Sequence, residues 1–292
     1  MKNFILYPDI TGGNLKYTRT ANQTLLLTYN FNNDLLTNDM LGFYKLAYAN
    51  IYNVNTIIAN INNIADASTL QKNRFLADAY CIRALEHFDL ARVFAQSYGY
   101  TADASHPSVV IRNVLLPLIT PPGNPNTCKE LFDQVTKDLD SAILLYPNSV
   151  NIFTLGDSRT YFSIDAAKAL QSRVALYKND WNKVVSLCTE IISSNKYPLI
   201  SNSNYVNSWN GQTISSESIF ELAYGNRTGG ALGDYYNTAS TTAQLASTND
   251  LLNLFAASDV RGTALHVTAT VNSFNYSISK KYQGINTTAN SI

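Results

Sequence analysis

The sequence predicts a mainly α protein: tetratricopeptide-like helical hairpins with long loops and a few short β-strands. Three observations carry this. Apolar residues recur every three or four positions through several stretches between Leu41 and Ser194. Pro- and Gly-rich loops separate those stretches, and the pattern gives way to Gly-rich, irregular sequence after Tyr197.

The first forty residues have short polar and aromatic runs, a Gly12-Gly13 turn and no sustained period, so they read as loop with one short helix. Phe4-Ile5-Leu6 is too short an apolar core for a signal peptide, and Pro8-Asp9 closes it at once. From Leu41 to Ile64 the positions Leu41, Tyr44, Tyr48, Ile51, Val54, Ile58 and Ile61 form one stripe of an amphipathic helix. A second helix, Leu70 to Phe94, runs through Phe75, Ala79, Ile82, Leu85, Phe88 or Asp89, and Val93, with Ala77, Ala84 and Ala91 interleaved. A short joint makes the two antiparallel, and the small residues let their backbones approach.

The loop from Gly99 to Asn126 holds Pro107, Pro117, Pro121, Pro122 and Pro125, none suited to a helix interior. Thr127 and Glu130 have capping-box spacing, and the helix they open runs through Phe132, Val135, Leu139, Ile143 and Tyr146 until Pro147. Ser163 caps the next helix, through Ala166, Leu170, Val174 and Tyr177. Asn179-Asp180 breaks it, and Trp181 to Ser194 is its return partner through Val184, Leu187 and Ile191. Tyr177 and Trp181, at that hairpin turn, read as core. Beyond it, Ser218 to Leu222 alternates like a short strand, and Thr248 or Asn249 caps a short helix ending near Ala257. These pairs resemble tetratricopeptide units in size, though no strict 34-residue period survives.

Composition narrows the function. The 292 residues hold 21 Lys+Arg and 21 Asp+Glu, so the formal net charge is zero, and the scattered basic residues lack the footprint of a nucleic-acid binder. Charged residues make up only 14%; Asn, Ser, Thr and 19 Tyr supply the polarity. Amides and phenols suit uncharged polyhydroxyl ligands, since they offer hydrogen bonds and ring faces without a countercharge. Cys81, Cys128 and Cys188 are widely spaced and odd in number, which fits buried thiols on helices. No apolar run reaches the length of a membrane span.

Catalytic patterns are missing. His87, His106 and His266 form no metal-ligand spacing, and His87 beside Glu86 and Asp89 sits on a helix where adjacent residues face different ways. Asp138 and Asp140 diverge for the same reason and do not make a glycosidase pair. Gly229-Gly230-Ala231-Leu232-Gly233 lacks the strand and helix context of a phosphate loop. The expectation is therefore no enzyme, no cofactor and no metal.

The wording of the segments is similar to the SusD/RagB family. "AYANIYNVNTIIANI" (47 to 61) resembles its Tyr-x-x-Ile-x-x-x-Asn helix, and "ADAYCIRALEHFDLARVFAQSYG" (77 to 99) its Arg-Ala-x-x-x-Phe-x-Leu helix, with Arg83, Ala84, Phe88 and Leu90 in place. "LFDQVTKDLDSAILLYP" (131 to 147) resembles the Asp-Leu-x-x-Ala helix. "AAKALQSRVALYKNDWNKVVSLCTEIISSNKYPL" (166 to 199) matches the long Ala-Ala to Tyr-x-Leu segment almost throughout. "SESIFEL" (216 to 222), "FAASDVRGTAL" (255 to 265) and Lys280-Lys281-Tyr282 complete the likeness.

The resemblance implies one SusD-like domain over residues 1–292: a helical scaffold at 40–198 and, at 199–292, the loop-rich start of a C-terminal region. It implies non-catalytic capture of oligosaccharide, or another nutrient such as peptide, and delivery to a SusC-like TonB-dependent transporter. The setting would be the extracellular face of the outer membrane, lipid-anchored in the full-length protein. The family's acylated Cys signal and its later segments are not in this sequence, which therefore reads as truncated at both ends. The rival reading is an intracellular tetratricopeptide-type adaptor for peptide tails, and a helical glycosidase comes third.

Sugar binding without catalysis rests on rings that stack on sugar faces and on amide and Arg hydrogen bonds. The loop residues of those types are Tyr7, Asp9, Asn14, Tyr17 and Arg19 near the start, then Tyr98, Tyr100, Trp209, Tyr224, Arg227, Tyr235 and Tyr236. The family's ligand residues follow no motif, so these candidates come from residue type and position.

Overall fold

A computed structural model describes residues 2–20, 23–34, 37–117, 119–121, 123–153, 156–210, 214–222, 233–236 and 243–281. In chain order the helices are α1 (Lys2–Thr11), α2 (Leu26–Tyr29), α3 (Leu41–Asn60), α4 (Thr69–Phe94), α5 (Cys128–Leu145), α6 (Ile164–Tyr177) and α7 (Trp181–Ser193). Shorter ones follow: α8 (Asn202–Tyr205), α9 (Gly233–Tyr236), α10 (Asn249–Asn253) and α11 (Val260–Thr263). The strands are β1 (Leu15–Tyr17), β2 (Leu245–Ser247), β3 (His266–Val271) and β4 (Phe274–Ser279). This is the mainly α architecture of helical hairpins with few short strands that the periodicity predicts. Two compact units divide the chain: Tyr44–Pro198 with Ser218–Phe220, and Met1–Phe43 with Leu199–Glu217 and Glu221–Ile292.

In the helical unit α4, α5, α6 and α7 each start where a side chain answers an orphan backbone N–H. Ser68 and Gln71 form a capping box at α4, Thr127 and Glu130 another at α5. Ser163 accepts from the N–H of Ala166 at α6, and Asp180 from that of Lys183 at α7. Asn179 takes a left-handed φ of 60°, which an Asn tolerates, and that turns α6 back into α7. Sequence neighbours pack in order, α4 on α5, α5 on α6 and α6 on α7.

The core of this unit is Phe88, Leu90, Leu131, Val135, Leu139 and Val174, all buried. Burying each such side chain stabilises by about 1.5–3 kcal/mol. Ala77, Ala79, Ala84 and Ala91 are buried as well, and their small size brings α4 close to α5. Cys81 and Cys128 are buried thiols on α4 and α5; Cys188 on α7 is half-buried.

A buried polar hub sits among these helices. Arg83 reaches Asp138 through Nε and Nη2 at 2.8 and 2.6 Å, and through Nη1 reaches Asn55 Oδ1 and the Asn113 carbonyl, both at 2.8 Å. Asn55 Nδ2 donates to the carbonyls of Arg112 and Val114. The Arg112 N–H donates to His87 Nε2 at 3.1 Å, so His87 carries its proton on Nδ1 and donates to the Arg83 carbonyl at 3.0 Å. The hub ties the loop around residues 112–114 to three helices. At the loop's other side the first N–H groups of α5 are answered by loop carbonyls, Cys128 by His106 and Lys129 by Ala104.

Outside α3 to α7 the structure differs from the sequence expectation in three places. Residues 2–11 form a ten-residue helix, the short helix expected among the first forty residues though its place was not, with Pro8 inside it. Tertiary contacts offset the lost bond: Leu6 and Ile10 are buried, and Phe4 stacks on Phe43 with ring centroids 4.6 Å apart. Gly12 ends the helix because a Cβ there would lie 2.7 Å from the Pro8 carbonyl oxygen. Ser218 to Leu222 forms no strand; Phe220, in the helical unit, instead stacks on Phe162 at 4.3 Å. Strands do occur elsewhere: β1 pairs antiparallel with β2, and β3 with β4. Ala243, Ala246, Val271 and Ile278 pack as their small core. Thr248 caps α10, which ends at Asn253, four residues before the expected Ala257.

Candidate functional site

One end of the helical unit gathers aromatic side chains from three places in the sequence. Tyr98–Tyr100 is a 3-10 turn just after α4. It lies against the α6–α7 turn: a Cβ on Gly99 would come within 3.9 Å of Asn179 Nδ2, and the Lys178 ammonium is 5.6 Å from the Tyr98 ring centroid. Tyr177 and Trp181 flank that turn.

The rings are set by a chain of edge-to-face contacts through the core. Tyr177 meets Phe88 at 5.0 Å and 80°, Phe88 meets Phe132 at 5.9 Å and 90°, and Phe132 meets Tyr98 at 5.0 Å and 62°. The inner pair is buried and the outer pair is not. Tyr100, 64% exposed, packs edge-on against the buried His106 at 5.4 Å. His106 Nδ1 is 2.9 Å from the Thr101 hydroxyl.

Trp181 is 59% exposed and Tyr177 41%, which corrects their reading as core. At about 100° per residue Trp181 falls off the arc of Val184, Leu187 and Ile191 that α7 turns to α6, and α7 ends the run of packed helices. Tyr177 sends its ring edge onto Phe88 but leaves its hydroxyl end outside. The period placed both residues on helices correctly; only the packing order shows that the α6–α7 turn lies at the end of the run.

Charged groups ring the aromatics in pairs. Arg92 Nη1 is 3.0 Å from Asp89 Oδ1, and its Nε donates to Tyr177 Oη at 3.1 Å. Lys178 lies 3.5 Å from Asp133, which Lys129 approaches at 2.5 Å. Burial pushes the Asp89 carboxyl up to about 6 against the pull of Arg92, and that of Glu86 up to about 7. Burial lowers His87 to about 4, so it stays neutral at physiological pH. A shallow depression of about 370 Å³ opens on the outer face of α5, lined by Asp133, Thr136, Lys137, Asp140, Ser141 and Leu144. Among the described residues no cluster of three His, Cys, Asp or Glu side chains is placed to hold a metal. This arrangement offers ring faces and hydrogen bonds, the means of binding.

Of the predicted loop residues, Tyr98 and Tyr100 belong to this end. The others that the structure describes lie in the second unit, where most of their side chains have partners. Tyr7 and Asp9 are on α1, not in a loop. Tyr236 places its hydroxyl 3.4 Å from Asp9, and Tyr235 and Tyr236 are only 5% and 3% exposed, so packing takes the ring faces a sugar would need. Tyr17 donates its hydroxyl to the Thr24 carbonyl and meets Tyr29 edge-on at 4.8 Å; burial pushes its phenol up to about 12. The Asn14 carbonyl accepts from the Thr248 N–H at 3.0 Å. Arg19 covers the Phe274 ring at 3.7 Å, and Lys281 covers Trp209 at 4.0 Å. Tyr224 and Arg227 lie outside the described residues.

Solved structures share this fold. A SusD superfamily protein from Bacteroides vulgatus is 20% identical and superposes with a TM-score of 0.82 over 98% of this chain and 65% of its own. One from Bacteroides thetaiotaomicron is 26% identical, with a TM-score of 0.74 over 89% and 58%. Surface glycan-binding protein A from Bacteroides thetaiotaomicron, in complex with laminarihexaose, is 17% identical, with a TM-score of 0.73 over 96% and 65%. The chain thus spans less than two thirds of the length of these structures. A comparison with curated protein sequences finds no match. Among the described residues no helix is long and apolar enough to cross a membrane. The SusD-like family described as starch-binding and associating with the outer membrane matches residues 3–176, more than half of the sequence, and to that family the chain belongs.

Proposed function

We propose that this protein captures a glycan at the outer face of the outer membrane and passes it, unaltered, to a SusC-like TonB-dependent transporter, the full-length protein being held there by a lipid anchor. The observation that carries the reading is the set of outward rings, Tyr98, Tyr100, Tyr177 and Trp181, fixed on one end of a packed helical bundle. Rings in fixed positions stack on the apolar faces of sugars at little entropic cost, because the bundle has already ordered them. Membership of a starch-binding family and a fold shared with a laminarihexaose-bound protein support the same class of ligand. Release needs no chemistry, and moderate affinity from stacking suits hand-off.

Affinity electrophoresis through gels holding soluble starch or laminarin tests the reading. The unaltered protein is expected to be retarded by at least one of them, and Trp181→Ala and Tyr100→Ala to migrate as in a plain gel. Free migration of the unaltered protein, or full retardation of both variants, would overturn it.

A further inference from the structure

The Tyr177 hydroxyl is held, and among the described residues no hydrogen-bond partner is seen for the Tyr98 or Tyr100 hydroxyl. Arg92 Nε donates to Tyr177 Oη at 3.1 Å, and the same guanidinium lies 5.6 Å from the ring centroids of both Tyr177 and Phe88. Asp89, one turn earlier on α4, holds Arg92 through Nη1 at 3.0 Å. The three side chains form a relay from the buried face of α4 to the surface, with Arg92 and Asp89 largely buried and Tyr177 half-exposed.

A phenol oxygen that accepts from a permanent cation keeps its own O–H, and the bond it accepts makes that proton a better donor. Arg92 occupies the inner side of the oxygen. The ring cannot turn away without losing both the Arg92 bond and its edge contact with Phe88, so the free proton faces outward.

Resting on the glycan-capture reading above, we propose that Arg92 is a positioning residue that fixes Tyr177 as an outward hydrogen-bond donor to an acceptor oxygen of the bound glycan. Tyr98 and Trp181 then select for a flat sugar face, while Tyr177 selects for an oxygen beside it, a ring or glycosidic ether or a hydroxyl accepting a bond. Arg92 itself touches no ligand.

Isothermal titration of the protein with maltoheptaose and with laminarihexaose tests this. Tyr177→Phe keeps the ring and removes the proton, and is expected to weaken binding about fivefold, the scale of one hydrogen bond. Arg92→Gln, which loses the cation, is expected to weaken it similarly, while the double variant is no weaker than either single one. A merely structural Arg92 would give additive losses. The ¹³Cζ resonance of Tyr177 should shift on ligand addition in the unaltered protein and not in Arg92→Gln. If Trp181→Ala weakens binding but Tyr177→Phe and Arg92→Gln bind like the unaltered protein, the inference fails and the site reading stands. If neither glycan binds, or Trp181→Ala has no effect, the site reading fails and the inference falls with it.

Discussion

Arg83 and Asp138 meet as a two-pronged pair inside the helical bundle, with both oxygens of the carboxylate taken by one guanidinium at 2.8 and 2.6 Å. The remaining prong serves Asn55 and the Asn113 carbonyl, so one side chain from α4 joins α3, α5 and the loop that follows α4.

Removing one member of such a pair leaves a buried charge without its partner. Arg83→Ala is expected to lower the unfolding free energy by about 4 kcal/mol. Urea denaturation measures this, and hydrogen exchange should rise at residues 112–114. A loss under 1 kcal/mol would show that the hub does not hold the bundle.

His87 is expected to make the fold acid-sensitive. Its folded value of about 4 lies below the ordinary 6.5, so the neutral ring stabilises fully above 6.5, and that contribution, about 3 kcal/mol, is lost as pH falls toward 4. Glu86 and Asp89 gain stability over the same range, so the test is a difference: between pH 7 and 4 the thermal midpoint of the unaltered protein should fall relative to that of His87→Gln. An equal decline in the variant would assign the acid response to other groups.

Glu86 works in the opposite direction. Its folded value of about 7 is above the ordinary 4.5, so its penalty is absent below 4.5 and complete above 7. Glu86→Gln keeps an oxygen for Asn50 Nδ2, which now donates to Glu86 Oε1 at 2.6 Å. The variant should melt higher at pH 8 and the same at pH 4. A lower midpoint at pH 8 would contradict the buried-carboxylate account.

The β3–β4 turn offers a gain. Asn272 and Ser273 both have positive φ, 47° and 67°, the mark of a type I′ hairpin turn. Gly suits the second position better, so Ser273→Gly should stabilise by about 0.5–1 kcal/mol. Unchanged or reduced stability would mean that the Ser side chain contributes more than its backbone costs.

These elements differ in how plainly the sequence showed them. α3 through α7 were legible because each carries a long 3.6-residue stripe and, at α5 and α6, a cap of the expected type. One short helix was expected in the first forty residues, but Pro8 and Gly12-Gly13 hid the place of α1, since local propensity does not register that Leu6 and Ile10 find a core. The β3–β4 hairpin was missed because its turn reads Asn-Ser rather than Asn-Gly, although Val267, Ala269 and Val271 alternate as a strand should. At the candidate site, Tyr98 and Tyr100 stood out as aromatics in a polar loop. Tyr177 and Trp181 did not, because exposure at the α6–α7 turn depends on what packs where. Tyr235 and Tyr236 show the converse: aromatics in a Gly-rich stretch that folding turns inward.

The run of rings from Tyr177 through Phe88 and Phe132 to Tyr98 divides labour between inside and outside. Truncating an inner ring costs several kcal/mol, whereas an outer one costs far less stability. The outward surface of this end is thus written in replaceable letters on a fixed page: the outer tyrosines can be exchanged for other shapes while the two phenylalanines keep their mountings in place.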